Sequence, residues 1–217
     1  MTGASEAVLY DYWRSSASYR VRIALNSLGV SYRTVPVNLL EKSHKSAEHL
    51  DRNPQGLVPV LEIDGRMMTQ SLAIIEYLAE TRGNPGILPD DAAGRQRVRA
   101  LSHAIAMDIH PVCNLGVVSH VMELTGGGDA VRTEWMKRFI GAGLAAVEIL
   151  LNAPETGRFC HGDMPGMADF CLVPQVYNAT RWEADIAACP NVRRIAETCA
   201  SLPAFQAAYP ERVREAG

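Results

Sequence analysis

Three short runs in this chain have the residue types to hold an anion or to ionise a thiol. The first is Ser15-Ser16-Ala17-Ser18, which follows an apolar stretch, Val8 to Tyr12, and leads into Val21, Ala24, Leu25 and Leu28, spaced as one helix face. A strand-to-helix turn made of small hydroxyl residues leaves backbone N–H groups free at the positive end of a helix dipole. Such a turn favours a bound anion or a thiolate. The second run is Gln70-Ser71, before the helical pattern Leu72, Ile75, Leu78 and Ala79, where a hydroxyl and a helix start suit a carboxylate. The third is Asn53-Pro54-Gln55-Gly56-Leu57-Val58-Pro59. A cis Val58–Pro59 bond would aim the Val58 N–H and C=O into a cleft, where an extended peptide could pair as an added strand. Each run also has a plainer use: Ser18 as a helix cap, Pro59 as a loop end, Ser71 as an N-cap.

The elements that must position these runs alternate. Strand-like Val8–Tyr12, a helix ending near Gly29 and a β-rich Tyr32–Val37 are followed by a polar connection, Glu41 to Asn53, with room for one short helix. Asp64-Gly65 between two apolar runs signals a hairpin, and a helix over 71–82 closes the pattern. Gly83 to Asp91 has the breaker content of a linker. Beyond it the period is helical: Ala93 to Leu124, interrupted at His110-Pro111; Asp129 to Leu151, with Trp135, Phe139, Ala142 and Ala146 on one face; then 167–179, 191–201 and a short piece from Pro203. The division expected is an α/β domain over 7–83 and an all-helical domain over 92–217.

Composition narrows the function. The chain of 217 residues is 47% hydrophobic and 21% charged, with a net charge of −3, and its pI is near 6.1. That balance argues against a nucleic-acid partner. No apolar run approaches the ~20 residues needed to span a bilayer. Residues 1–7 lack the basic and apolar regions of a signal peptide and read as a short disordered extension, so a cytoplasmic protein is expected. Five cysteines, Cys113, Cys160, Cys171, Cys189 and Cys199, show no paired spacing and read as packed, reduced thiols. His103, His110 and His120 do not share a ligating spacing, and no metal is expected.

Ser15 to Leu25 resembles the signature of zeta-class glutathione transferases, of the maleylacetoacetate isomerase type. Asn53 to Pro59, Gln70 to Leu78 and Ala168 to Val176 are similar to further blocks of that family, and the resemblance runs from about Val8 to Tyr209. It implies a thioredoxin-like domain followed by a helical one, glutathione as cofactor, and a homodimer. By position, Ser15 would hydrogen-bond the glutathione sulfur, and Ser16, Ala17, Ser18, Tyr19 and Arg20 would complete that loop. Val58 and Pro59 would pair with the tripeptide backbone, Gln70 and Ser71 would hold the γ-glutamyl carboxylate, and His44 would add a polar contact. Asn114 and Leu115 would reach the same site, and His110 would sit near it.

The implied reaction is the glutathione-dependent conversion of maleylacetoacetate to its trans isomer, a step of tyrosine and phenylalanine breakdown. A thiolate adds to the cis double bond, the resulting single bond rotates, and the thiolate leaves. The substrate is a dicarboxylate, which guanidinium groups suit; Arg181 and Arg14 are the candidates, while at least one of Arg20 and Arg22 reads as a surface or structural charge. The family usually has cysteine where Ala17 stands, so disulfide exchange is not expected. It also has Ser or Thr where Gly166 stands, a change expected to cost only a few tenths of a kcal/mol. Alternatives are an isomerase of maleylpyruvate, a transferase or dehalogenase acting on small halo acids, and a non-catalytic glutathione-fold binding protein.

Overall fold

The computed structural model describes residues 6–83 and 86–216. The expected N-terminal extension falls largely on residues 1–5, and Asn84 and Pro85 of the expected linker likewise lie outside the described residues. Two compact units emerge. One joins 6–83 to 201–216, and the other spans 86–200.

The first unit is built on a four-stranded sheet in the order β2-β1-β3-β4. Strand β1 (Ala7–Asp11) is buried along its whole length, as a central strand covered on both faces must be. It pairs in parallel with the edge strand β2 (Tyr32–Pro36) and antiparallel with β3 (Val60–Ile63), Leu9 lying opposite Leu61. The Asp64-Gly65 turn joins β3 to β4 (Arg66–Met68) as a hairpin, with both turn residues at positive φ. Helix α1 (Ser16–Ser27) follows β1, and α3 (Ser71–Thr81), which packs against it, follows β4. Between β2 and β3 lie a 3-10 turn, Ser43–Lys45, and the short helix α2 (Ala47–Arg52).

Residues 201–216 do not belong with the helical unit, contrary to the division expected from the sequence. Their two short helices, α9 (Pro203–Ala207) and α10 (Pro210–Ala216), return to the first unit. Asn26 Nδ2 donates to the Ala204 carbonyl at 3.2 Å, and Arg22 Nε donates to the Ala208 carbonyl at 3.1 Å. Helix α10 escapes a reading by periodicity because its seven residues carry too little apolar spacing to form a face.

The second unit is helical: α4 (Ala92–His103), α5 (Leu115–Thr125), α6 (Asp129–Leu150), α7 (Met167–Arg181) and α8 (Pro190–Ala200). The break expected at His110-Pro111 is present, but it is preceded by a π-helical stretch, Ala104–Ile109. In α6 the buried positions are Met136, Ile140, Leu144, Val147 and Glu148, not the Ala142 and Ala146 face. Charged and apolar residues are mixed around that helix, with Ile149 and Leu150 exposed, so its pattern does not single out one side.

Helix α7 lies against α4 and α8. Its start explains the missing cap. Asp169, 1% exposed, accepts the Gly166 N–H at 2.8 Å and the Cys160 N–H at 2.9 Å. Burial raises the pKa of its carboxyl against these two bonds, which lower it. A Cβ on Gly166 would stand 2.9 Å from the Gly86 carbonyl oxygen and 3.0 Å from that of Ile87. In this chain glycine therefore permits a close approach of these two carbonyls, a packing role that the capping cost alone does not describe. Gly166→Ser is expected to destabilise the protein by about 1–3 kcal/mol, the usual cost of overpacking, although serine is ordinarily the better cap. Urea melts of the two proteins check this; a stabilised serine variant would refute it.

Candidate active site

The serine turn is a capped helix start. Ser15 is the N-cap of α1, and its Oγ accepts the Ser18 N–H at 3.2 Å. The helix thus begins at Ser16, not near Ser18, and Ser18 is a donor to the cap rather than the cap itself. Ser15 is half-buried, whereas Ser16 and Ser18 are buried. As an acceptor from Ser18, the Ser15 hydroxyl keeps its own proton to donate. Ala17 and Tyr19 are buried in the same first turns. The Ser15 N–H is itself spent on the Tyr12 carbonyl at 2.8 Å, which shapes the turn.

Arg20 and Arg22 are both buried, at 2% and 0% exposure. Neither is a surface charge. Arg22 forms a two-pronged bond to Asp11, at 2.9 and 2.7 Å, and donates from Nη2 to the Trp13 carbonyl at 2.8 Å. It therefore pins the residues just before the serine turn. Arg20 Nη1 donates to Ser71 Oγ at 3.2 Å, joining the serine-turn helix to the start of α3.

That second helix start is open. Its N-cap is Gln70, held at φ 68°, ψ 102°, and no side chain caps it. Ser71 is the first helical residue rather than the cap. Uncapped N–H groups, the dipole and the buried Arg20 guanidinium together make a receptor for a carboxylate. Gln70 Nε2 donates to Gln55 Oε1 at 2.8 Å, so the Gln70 side chain is tied to the Asn53–Pro59 loop. A non-glycine residue at this φ is strained. Gln70→Gly is expected to stabilise the ligand-free protein by about 1 kcal/mol and to weaken binding of glutathione. Thermal melts with and without glutathione check both halves; a destabilised, fully binding variant would refute them.

The Asn53–Pro59 loop is braced from several sides. The Val58–Pro59 bond is cis. Asn53 Nδ2 donates to the Leu57 carbonyl at 2.9 Å, and His49 Nε2 lies 3.0 Å from the same oxygen. Lys45 Nζ donates to the Gln55 and Gly56 carbonyls, each at 3.2 Å. Gly56 is at φ 60°, and a Cβ there would meet the His44 carbonyl oxygen at 2.8 Å. His44 lies in the 3-10 turn; burial, then Lys45, His49 and Lys42, lower its pKa, so the ring is neutral at pH 7 and retains one N–H donor.

The first unit thus brings together the serine turn, the Ser71 start and the Val58–Pro59 loop. A thiol at Ser15, a carboxylate at Ser71 and a peptide backbone beside Val58 are the groups a tripeptide such as glutathione would place there, and the residues fit that cofactor. The remaining candidates lie in the second unit. Asn114 is the N-cap of α5, its Oδ1 accepting the Gly116 N–H at 3.0 Å, and Leu115 is exposed at the start of that helix. His110 follows the π-helical stretch. Arg181 ends α7, exposed, with its guanidinium 4.9 Å from the Trp182 ring centroid. All five cysteines are buried and free, and burial alone pushes Cys113 up to about 11. Among the described residues no group of side chains is arranged to hold a metal ion, and no helix is long and apolar enough to cross a membrane.

Comparison with known proteins agrees with this architecture. The family model for the glutathione S-transferase N-terminal domain matches residues 5–80. A maleylacetoacetate isomerase of Rhizobium meliloti is 67% identical over 211 residues, 97% of this chain and 99% of that one. The holo structure of a maleylpyruvate isomerase, a bacterial glutathione transferase of the zeta class, superposes with a TM-score of 0.92 at 41% identity, covering 94% of this chain and 97% of that chain. A maleylacetoacetate isomerase from Anaeromyxobacter dehalogenans, solved with glutathione bound in its active site, gives a TM-score of 0.85 at 44% identity, covering 95% and 96%. The chain belongs to the zeta class of the glutathione transferases, among the maleylacetoacetate isomerases.

Proposed function

We propose that this protein is a glutathione-dependent cis–trans isomerase that converts maleylacetoacetate to fumarylacetoacetate. One observation carries the reading: a turn built to stabilise a thiolate contains no thiol. Ala17 occupies the serine turn, and the cysteines, all buried, lie in the other unit. The nucleophile must therefore arrive with a cofactor, and the donor set of the first unit suits glutathione. Bound glutathione supplies the thiolate that adds to the cis double bond and leaves unchanged after rotation.

The protein's own residues do the rest. The Ser15 hydroxyl donates to the sulfur and lowers the thiol's pKa, helped by the α1 dipole. Ser71, with Arg20 behind it, and the open start of α3 fix the γ-glutamyl carboxylate. Val58 aligns the tripeptide backbone, and His44 adds a neutral donor. Arg14 and Arg181 are assigned to the substrate carboxylates, and His110, Asn114 and Leu115 to its surroundings, on the resemblance to the family.

Turnover of maleylacetoacetate and of maleylpyruvate, each with and without glutathione, tests the reading. Isomerisation that needs glutathione and favours maleylacetoacetate supports it. Equal rates without glutathione overturn it, and a preference for maleylpyruvate moves the substrate. The reading carries with it a cytoplasmic place in tyrosine and phenylalanine breakdown. It also carries a homodimer, which would cover exposed apolar residues such as Leu124 and Ile149, 72% and 71% exposed. Sedimentation at micromolar concentration is expected to give twice the chain mass; a stable monomer would refute the dimer.

A further inference from the structure

A cavity of about 1080 Å³ opens in the first unit beside the serine turn. Its walls come from the end of β1 and the turn residues Tyr12, Trp13 and Arg14, from the edge strand β2, and from α9 and α10, which contribute Arg212 and Arg214. Trp13 lies close to two guanidinium groups: the Arg14 carbon is 5.0 Å from its ring centroid and the Arg214 carbon 5.1 Å. Asp11 is the one carboxylate among the described lining residues, and it is already held by Arg22 at 2.7 Å. The cavity therefore presents three guanidinium groups and an aromatic wall, with no free carboxylate to oppose them. Arg212 and Arg214 are not buried, and among the described residues no carboxylate pairs with Arg14, Arg212 or Arg214. Arg14, in the cavity wall, directly precedes Ser15 in the chain.

We propose that Arg212 and Arg214 of α10 are specificity-determining residues that receive the substrate carboxylate remote from the reacting double bond, making the enzyme selective for dicarboxylates. This rests on the isomerase reading above. Guanidinium is the best match for a carboxylate, and a cavity lined by one sign of charge concentrates its counter-ion. The Trp13 ring, with the Arg14 and Arg214 guanidinium carbons 5.0 and 5.1 Å from its centroid, holds these two charges at the cavity wall. The extra carboxylate lies far from the bond that isomerises, so its capture governs binding rather than the chemical step.

The test compares maleylacetoacetate with its decarboxylated analogue, which keeps the enone and carries a single carboxylate. In Arg212→Gln/Arg214→Gln, KM for the dicarboxylate is expected to rise about tenfold, the scale of two exposed charge contacts. KM for the monocarboxylate and kcat for both should stay within about twofold. An equal rise for both substrates, or none, overturns the proposal. Arg212→Gln alone leaves the Arg214–Trp13 contact intact and decides the question if the double variant fails to fold: a selective rise supports the proposal and its absence overturns it. Wild-type protein that shows no glutathione-dependent turnover would instead sink the isomerase reading, so the two failures are distinguishable.

Discussion

Arg22→Met is expected to cost about 3–5 kcal/mol, the loss on removing one partner of a buried ion pair. Against a typical total of about 5–15 kcal/mol, that leaves the protein close to unfolding at body temperature. The residue is 0% exposed and Asp11 1%, so methionine would leave a buried carboxylate without its partner. It would also release the Trp13 and Ala208 carbonyls. Urea titration measures the effect, and a loss below about 1 kcal/mol would show that water or another cation substitutes. The double variant Asp11→Leu/Arg22→Met should recover much of the loss, because no lone charge remains buried. A double variant as unstable as the sum of the singles would mean that the carbonyl contacts, not the charge pair, hold this corner.

Ser15→Ala is expected to lower isomerase turnover by about one to two orders of magnitude. A hydrogen bond to a charged partner contributes about 1.5–3 kcal/mol, and each ~1.4 kcal/mol is a decade in rate. Because Ser15 also caps α1, the same variant should lose about 1 kcal/mol of stability. Ser15→Asp separates the two roles. Aspartate restores the cap but sets a negative charge beside the thiolate, so stability should return while turnover stays low or falls further. Ser16 is the rival donor. A severe Ser16→Ala with a silent Ser15→Ala would move the assignment by one residue, and silence at both would leave the backbone and dipole as the activators.

The parts of the site that rest on local chemistry were legible in the sequence. Small hydroxyl residues between a strand and a helix announce the serine turn, Asp64-Gly65 announces the hairpin, and the run into Pro59 announces the strand entry. What depended on distant partners was not. Arg20 and Arg22 are buried only because Ser71 and Asp11, 51 and 11 residues away, receive them. A helical period alone cannot tell a buried guanidinium from a solvated one. Gly166 reads as a lost cap until the Gly86 and Ile87 carbonyls are seen beside it. The π-helical stretch before His110 leaves no mark in composition, since its residues are as apolar as those of an ordinary helix. Arg212 and Arg214 drew no attention because nothing local says that the chain returns to Trp13.

That return bears on how the protein is made. The first unit is discontinuous in sequence, with 86–200 inserted between the segment that forms its sheet and the segment that covers α1. During synthesis the sheet and serine turn leave the ribosome well before Ala204 and Ala208, the acceptors for Asn26 and Arg22. Until those carbonyls arrive, one side of the nascent glutathione-binding unit stays uncovered. The helical unit, whose residues are contiguous, can close first, and the completed catalytic corner is among the last parts of the chain to assemble.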